Sequence, residues 1–486
     1  MSKAGDFARH LLLVTVHGFP VCGLPFTIDA MRIRPARCVR GTVRVPGDKS
    51  VSHRAAIFAA LARGNAQSRI TNFSTSADCA STLDCLAGLG VRVRRDGTTV
   101  EIEGTGLRLP HAPDAPLDCG NSGTTMRLLA GVLAGQNFSS TLTGDDSLRS
   151  RPMRRVIEPL ELMGARIKSN DGRAPLDVHG RRALTPIEYA SPVASAQVKS
   201  CVLLAGLNAE GRTTVVERHG ATRDHTERML GWFGVEVLTH HVMLSEPSHG
   251  DTKGDDAHDV VRTSAVSVVG GQQLHARDVE VPGDISSAVF FMVAAALVAG
   301  SELRLEGVGL NPTRAQVIDT LSALGVDVSV ENVTERCNEP VGRVVVRGSR
   351  RLAPQQPGAN LLRGDVIAGL IDELPILAVA GTQVEGGLVI RDAGELRLKE
   401  TDRVRAVCEN LRAMGAEVEE FADGLAVRGR TLLRGARVNA YGDHRIAMAF
   451  SVAALVAEGE TEIEGAECVS ISFPEFFNLL ESVVER

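Results

Sequence analysis

Apolar positions recur along this chain in one repeating order. A short alternating run leads into a polar turn, and an apolar stretch at helical spacing follows. A second alternating run, an amphipathic helix and a hairpin close the unit. In the first copy, residues 41–45 predict a strand, 52–62 a helix, 68–72 a strand and 78–89 a second helix. Residues 91–93 and 98–102 predict a hairpin around Asp96-Gly97. A second copy aligns with the first by eye. Val45-Pro46-Gly47-Asp48 matches Val281-Pro282-Gly283-Asp284, Ala59-Ala60-Leu61 matches Ala295-Ala296-Leu297, and Leu89-Gly90-Val91 matches Leu324-Gly325-Val326. Four looser copies begin near Asn121, Ser195, Asp372 and Asp443. Repeated strand–helix–strand units predict an α/β protein whose sheets are faced by helices.

A stretch rich in Gly, Asp, Ser and His, residues 245–273, separates three copies from three. The expected architecture is two pseudo-symmetric lobes of three repeats each, with a ligand cleft between them. Repeats hold a scaffold constant, so function should lie in the turns, where the copies differ.

Composition narrows the field. The chain has 486 residues, 44% of them hydrophobic and 23% charged, which is ordinary for a globular protein. A net charge of −6 and 3% aromatics argue against a nucleic-acid binder. No run reaches the roughly 18 apolar residues of a membrane span, and residues 289–298 read as a buried helix. Nine Cys without a C-x-x-C pair suggest reduced thiols and a cytoplasmic protein, not disulfides or zinc. Residues 1–30 read as a disordered N-terminal extension upstream of the first strand. Their short apolar core, residues 11–16, has no clear cleavage site after it, which argues against a signal peptide.

The turns carry the chemistry. Lys49, Ser50 and Arg54 surround a helix start, where free N–H groups suit phosphate or carboxylate. Asn121 and Gly123 lie in a Gly-rich turn that is not a Walker A sequence. Residues 149–155 hold four Arg in seven, an anion clamp in an acidic chain. Ser195-Ala196-Gln197-Val198-Lys199 and Arg223-Asp224-His225-Thr226-Glu227 add polar and cationic groups. A single His among carboxylates is a poor zinc set. Asp372, then Lys399, Glu400 and Arg403, bring acid, base and clamp chemistry together, and Asp443-His444-Arg445 opens the last repeat. Each turn alone also fits a capped helix with solvated charges. Jointly, Lys49, Arg54, Arg127, Arg151, Lys199, Arg403 and Arg445 at repeat turns describe a cleft for multiply anionic small molecules.

In order and content these motifs resemble the 5-enolpyruvylshikimate-3-phosphate synthases (3-phosphoshikimate 1-carboxyvinyltransferases). The resemblance runs from Met31 to about Val484. Gly47-Asp48-Lys49, residues 195–199 and 223–227, and Asn311-Pro312-Thr313-Arg314 look like the class II set. It implies an inside-out α/β barrel of two lobes, each of three βαβαββ units, with the active site in the inter-lobe cleft. It also implies that residues 49–272 form the first lobe, and residues 31–48 with 273–486 the second. The implied reaction moves the enolpyruvyl group of phosphoenolpyruvate to shikimate 3-phosphate, in a monomer, with no cofactor, metal, nucleic acid or membrane. Asp372, Glu400 and Lys49 match the family's catalytic groups. Lys49, Ser50, Arg54, Ser195, Ala196, Gln197, Arg223, Asp372 and Lys399 match shikimate 3-phosphate contacts. Lys49, Asn121, Gly123, Arg151, Gln197, Arg403 and Arg445 match phosphoenolpyruvate contacts.

One departure is that residues 469–474 lack the Lys some members place beside phosphoenolpyruvate. The rival is the UDP-N-acetylglucosamine enolpyruvyl transferase family, which shares fold and donor. Its Lys-Asn pair and loop Cys are missing here: Ser50 follows Lys49, and residues 149–155 contain no Cys. A non-catalytic relative would be expected to have lost Asp372, Glu400 or Lys49.

Overall fold

The computed structural model describes residues 30–64, 66–218, 222–245 and 260–486. The expectation for the N-terminal extension therefore lies outside the described residues, except that Ala30 already begins a strand.

The second unit shows the plan. A strand at Leu117–Asp118 leads into the Gly123–Ala134 helix and returns along Ser139–Thr143. The helix Arg154–Leu162 and the hairpin Arg166–Asn170 with Arg173–His179 complete it. The first two strands pair in parallel, and the last strand inserts antiparallel between its hairpin partner and Ser139–Thr143. The first helix of a unit is apolar nearly all round, as in Ile285–Leu297, and must be enclosed. The second is amphipathic: Val156, Ile157 and Leu160 are buried, whereas Arg154, Glu158 and Glu161 face water. Helices thus fill each lobe and sheets cover it. Two separate cores result. One spans Val51 to Val281; the other joins Ile33–Val45 to Ile285–Val483.

The lobes exchange strands where the chain crosses between them. Arg40–Val43 pairs in parallel with Glu302–Leu305 of the second lobe, whereas Val279–Glu280 pairs in parallel with Ile70–Thr71 of the first. The crossing segments are tied symmetrically: the Asp48 amide donates to the Pro282 carbonyl at 2.7 Å, and the Asp284 amide to the Pro46 carbonyl at 2.9 Å. Gly47 is required there, because a Cβ would sit 1.8 Å from the Asn72 carbonyl oxygen.

Val279 and Val281, which follow the boundary expected at 273, pack in the first core. Two other expectations need adjusting. The polar stretch 245–273 is not simply a linker. Its Val260–Val269 segment is a strand between Arg212–Glu217 and Val237–Ser245, and residues 246–259 lie outside the described ones. The sixth unit lacks a closing hairpin. Ala30–Ile33 from the chain start pairs with Thr461–Glu464 in its place, and the chain ends through the Phe476–Val483 helix. Among the described residues, no helix is long and apolar enough to cross a membrane.

Candidate active site

The first helices of all six units begin at the inter-lobe cleft. Asp48, Ser122, Ser195, Asp284 and Asp443 each accept a hydrogen bond from an N–H in the first turn they cap. The fifth helix, Leu374–Gly381, follows Asp372-Glu373 with Pro375 in its first turn. Six positive dipole ends therefore face one cavity of about 760 Å³. Eleven Lys and Arg side chains line it against seven Asp and Glu. A net-acidic chain has concentrated its cations here.

The first lobe supplies a set of cationic donors. Lys49 Nζ lies 2.7 Å from Asp78 Oδ2. Burial pulls the Lys49 ammonium down, but Asp78 more than offsets this and holds it above the ordinary lysine value. Arg54 is fixed by Thr226 Oγ1 at 2.7 Å, Ser200 Oγ at 2.8 Å and the Ser50 carbonyl at 2.9 Å. Arg151 Nη2 donates to Asn121 Oδ1 at 2.6 Å and to Ser147 Oγ at 3.1 Å. Arg127 Nη1 donates to Gln197 Oε1 at 2.5 Å, and Gln197 Nε2 donates to Thr124 Oγ1 at 2.8 Å. Burial, reinforced by Arg155 and Arg151, pulls the Arg127 guanidinium down to about 9. Its Nε is buried without a protein partner.

The second lobe supplies carboxylates inside a cationic cage. Asp372 Oδ1 lies 3.4 Å from Lys399 Nζ and 3.4 Å from Arg403 Nη1. Its Oδ2 lies 2.6 Å from Arg223 Nη2, across the cleft. Burial pushes its pKa up, but Lys399, Arg445, Arg223 and Arg403 together hold it well below the usual carboxylate range. Glu400 Oε2 lies 2.6 Å from Arg403, and its Oε1 lies 3.6 Å from Arg151 of the other lobe. Against burial, Arg403 and Arg151 keep it well below its usual value. Burial, then Lys49, holds His444 well below the imidazole range, so it is neutral at pH 7.

The cavity wall contains Lys49, Ser50, Arg54, Asn121, Gly123, Arg151, Ser195, Ala196, Gln197, Arg223, Asp372, Lys399, Glu400, Arg403 and Arg445. Lys199 is elsewhere: it is buried between Glu217 at 3.0 Å and Glu227 at 2.7 Å, so its charge is already neutralised. His225 turns to Glu339, and among the described residues no His, Cys, Asp and Glu set is arranged to hold a metal. The motifs did not disclose Asp78, Asp284 or Glu395, which also line the cavity. Asp78 had a signal, as the acidic first-turn residue of a helix that must pass beside Lys49.

Asp284 carries a pH-dependent cost. Burial, then the facing Asp48 carboxylate, raises it to about 6. The folded protein therefore holds that proton more tightly than the unfolded chain. The resulting penalty is absent below pH 3.8 and complete once pH has risen past about 6. Asp284→Asn keeps the cap and removes the charge. It is expected to stabilise the protein at pH 7.5 by up to roughly 2–3 kcal/mol. Urea unfolding at pH 7.5 and pH 4 checks this; an equal effect at both would contradict it.

Comparison with known proteins agrees with this geometry. The family profile described as EPSP synthase (3-phosphoshikimate 1-carboxyvinyltransferase) matches residues 33–480. A Koribacter versatilis protein named 3-phosphoshikimate 1-carboxyvinyltransferase is 50% identical over 460 residues, covering 94% of this chain and 100% of its own. A Salinibacter ruber protein of the same name is 49% identical, with 93% and 98% covered. A solved EPSP synthase from Acinetobacter baumannii superposes with a TM-score of 0.78 at 40% identity, covering 93% of this chain and 98% of that one. With the profile, the relatives and the solved structure agreeing over nearly its whole length, the chain belongs to the EPSP synthase family.

Proposed function

We propose that this enzyme transfers the enolpyruvyl group of phosphoenolpyruvate to the 5-hydroxyl of shikimate 3-phosphate, releasing phosphate, and that Asp372 is the base. The observation that carries the reading is Asp372 itself: an ionised carboxylate within 4 Å of Arg223, Lys399, Arg403 and Arg445, at the wall where the lobes meet. In the addition step the hydroxyl oxygen bonds to C2 of phosphoenolpyruvate. Asp372 takes the hydroxyl proton, and C3 gains one from Glu400 or Lys49. In the elimination step the C–O bond to phosphate breaks, C3 gives up a proton, and the phosphate departs toward the Lys49 side.

The cage explains how so acidic a carboxylate serves as a base. Lys399 is assigned to shikimate 3-phosphate, and Arg403 and Arg445 to phosphoenolpyruvate. Once these cations face substrate anions, less of their field falls on Asp372 and its proton affinity rises. Lys49, Ser50, Arg54, Ser195, Ala196, Gln197 and Arg223 complete the shikimate 3-phosphate site. Lys49, Asn121, Gly123, Gln197 and Arg151 complete the phosphoenolpyruvate site. Arg151→Ala removes a fork already held in place by Asn121. It should raise KM for phosphoenolpyruvate by about 10- to 100-fold, the worth of a charge-assisted hydrogen bond, and leave KM for shikimate 3-phosphate nearly unchanged.

We assign residues 49–281 to the first lobe, and 30–48 with 282–486 to the second. We further infer a monomer, as the family resemblance implies. The eight cysteines among the described residues are unpaired and seven are buried, which supports a cytoplasmic setting. Phosphate release from phosphoenolpyruvate, with shikimate 3-phosphate or UDP-N-acetylglucosamine as acceptor, tests the function. Release with the shikimate ester alone is expected; release with the nucleotide sugar alone would overturn it.

A further inference from the structure

Two motifs remain without a full role: the segment from Arg223 to Glu227, and the Asn311-Pro312-Thr313-Arg314 turn. The fold sets them against each other across the lobes. Asn311 Nδ2 donates to Asp224 Oδ1 of the first lobe at 2.6 Å and to Glu339 Oε2 of its own lobe at 2.9 Å. Glu339 Oε1 lies 2.7 Å from His225 Nδ1. Thr313 Oγ1 accepts from the Asp224 amide at 3.4 Å and donates to Asn311 Oδ1 at 2.6 Å. Asn311, His225 and Glu339 are all buried, so water does not readily replace these bonds. One neutral amide thus holds a carboxylate from each lobe.

The turn grips both partners of the Arg223–Asp372 pair through their chain neighbours. At one end Asn311 and Thr313 hold the side chain and the amide of Asp224, the residue after Arg223. At the other end Arg314 reaches Glu373 Oε1 at 4.0 Å, the residue after Asp372. It also lies 3.5 Å from Asp48 and 3.7 Å from Asp284 at the crossover. Asn311 itself lies outside the cavity wall.

We propose that Asn311 is a positioning residue for the transfer reaction: by tying Asp224 to the second lobe it holds Arg223 against Asp372. The inference rests on the reading of Asp372 as base. Asn311→Ala should lower kcat at saturating substrates by roughly 10- to 100-fold, the scale of a misplaced catalytic group. KM for phosphoenolpyruvate should move far less than kcat, because Arg151 is held by Asn121 and Ser147, away from this turn.

The test is a double-mutant cycle of Asn311→Ala and Arg223→Ala, read as kcat. If Asn311 acts through Arg223, adding Asn311→Ala to Arg223→Ala costs nothing further. An equal loss in both backgrounds would reveal a merely structural role and overturn the inference, as would parent-like kcat in Asn311→Ala. Should Asn311→Ala fail to fold, Thr313→Val removes one hydroxyl with little change of shape and is judged by the same criterion. Asp372→Asn, assayed alongside, separates the two levels. Parent-like turnover there would remove the base and this inference with it. Loss there, with multiplicative Asn311 effects, would remove the inference alone.

Discussion

Asp372→Asn is expected to lower kcat by roughly 10²–10⁴-fold, the usual worth of general acid–base catalysis, without weakening shikimate 3-phosphate binding. The amide keeps the shape of the carboxylate and loses its ability to take a proton. It also deprives Arg223, Lys399, Arg403 and Arg445 of a counter-charge in the unliganded cleft. Those cations then face the incoming anions with less competition, so affinity for the shikimate ester should hold or rise. Phosphate-release kinetics and calorimetric titration measure the two quantities separately. Turnover near that of the parent would sink the assignment, and so would a loss explained entirely by weaker binding.

Arg403→Ala should be the most damaging single substitution, for stability as well as activity. The guanidinium is nearly inaccessible and bridges Asp443 at 2.7 Å, Glu400 at 2.6 Å and Asp372 at 3.4 Å. Asp443 is itself fully buried and caps the His444–Leu455 helix. Breaking such a pair from one side leaves an uncompensated buried charge, at about 3–5 kcal/mol. The pH dependence follows from Glu400 and Asp372, both held below their usual values partly by Arg403. Their contribution is present above pH 4.5 and disappears as pH falls through their folded-state pKa values. The stability gap between parent and variant should therefore be widest at pH 7 and narrow in acid. Urea unfolding across that range checks it; a gap independent of pH would mean that packing, not charge, holds the site.

Much of this site could be read from the chain because its ligands sit at helix starts. A capping Asp or Ser recurs at five of these turns, with a Gly beside it at four, and the repeat makes the turns comparable. Lys49, Asn121, Gln197, Asp372 and Arg445 were identifiable for that reason. What could not be read was how charges pair in space. Lys199 has the same local signature as Lys49, yet Glu217 and Glu227 come to it from 18 and 28 positions away and neutralise it. His225 stands among carboxylates that make a poor zinc set, and its actual partner is Glu339, on a strand of the other lobe. The strand exchange was equally hidden in the residue pattern, and only the family resemblance implied that residues 31–48 join the second lobe. A run such as residues 38–43 states its pleat and its buried face, and nothing in it specifies a neighbour more than 250 positions away.

That exchange sets a timetable for synthesis. The Cys38–Val43 strand emerges early from the ribosome, but Val39 finds its partner Ser301 only 262 residues later. At translation rates of about 5–20 residues per second the delay is roughly 13–50 s. Through that interval the first lobe can collapse onto its own core, lacking only the Val279–Glu280 edge, while an unpaired β segment trails from its start. The newborn chain thus carries an unpaired strand edge until the second lobe emerges to cover it.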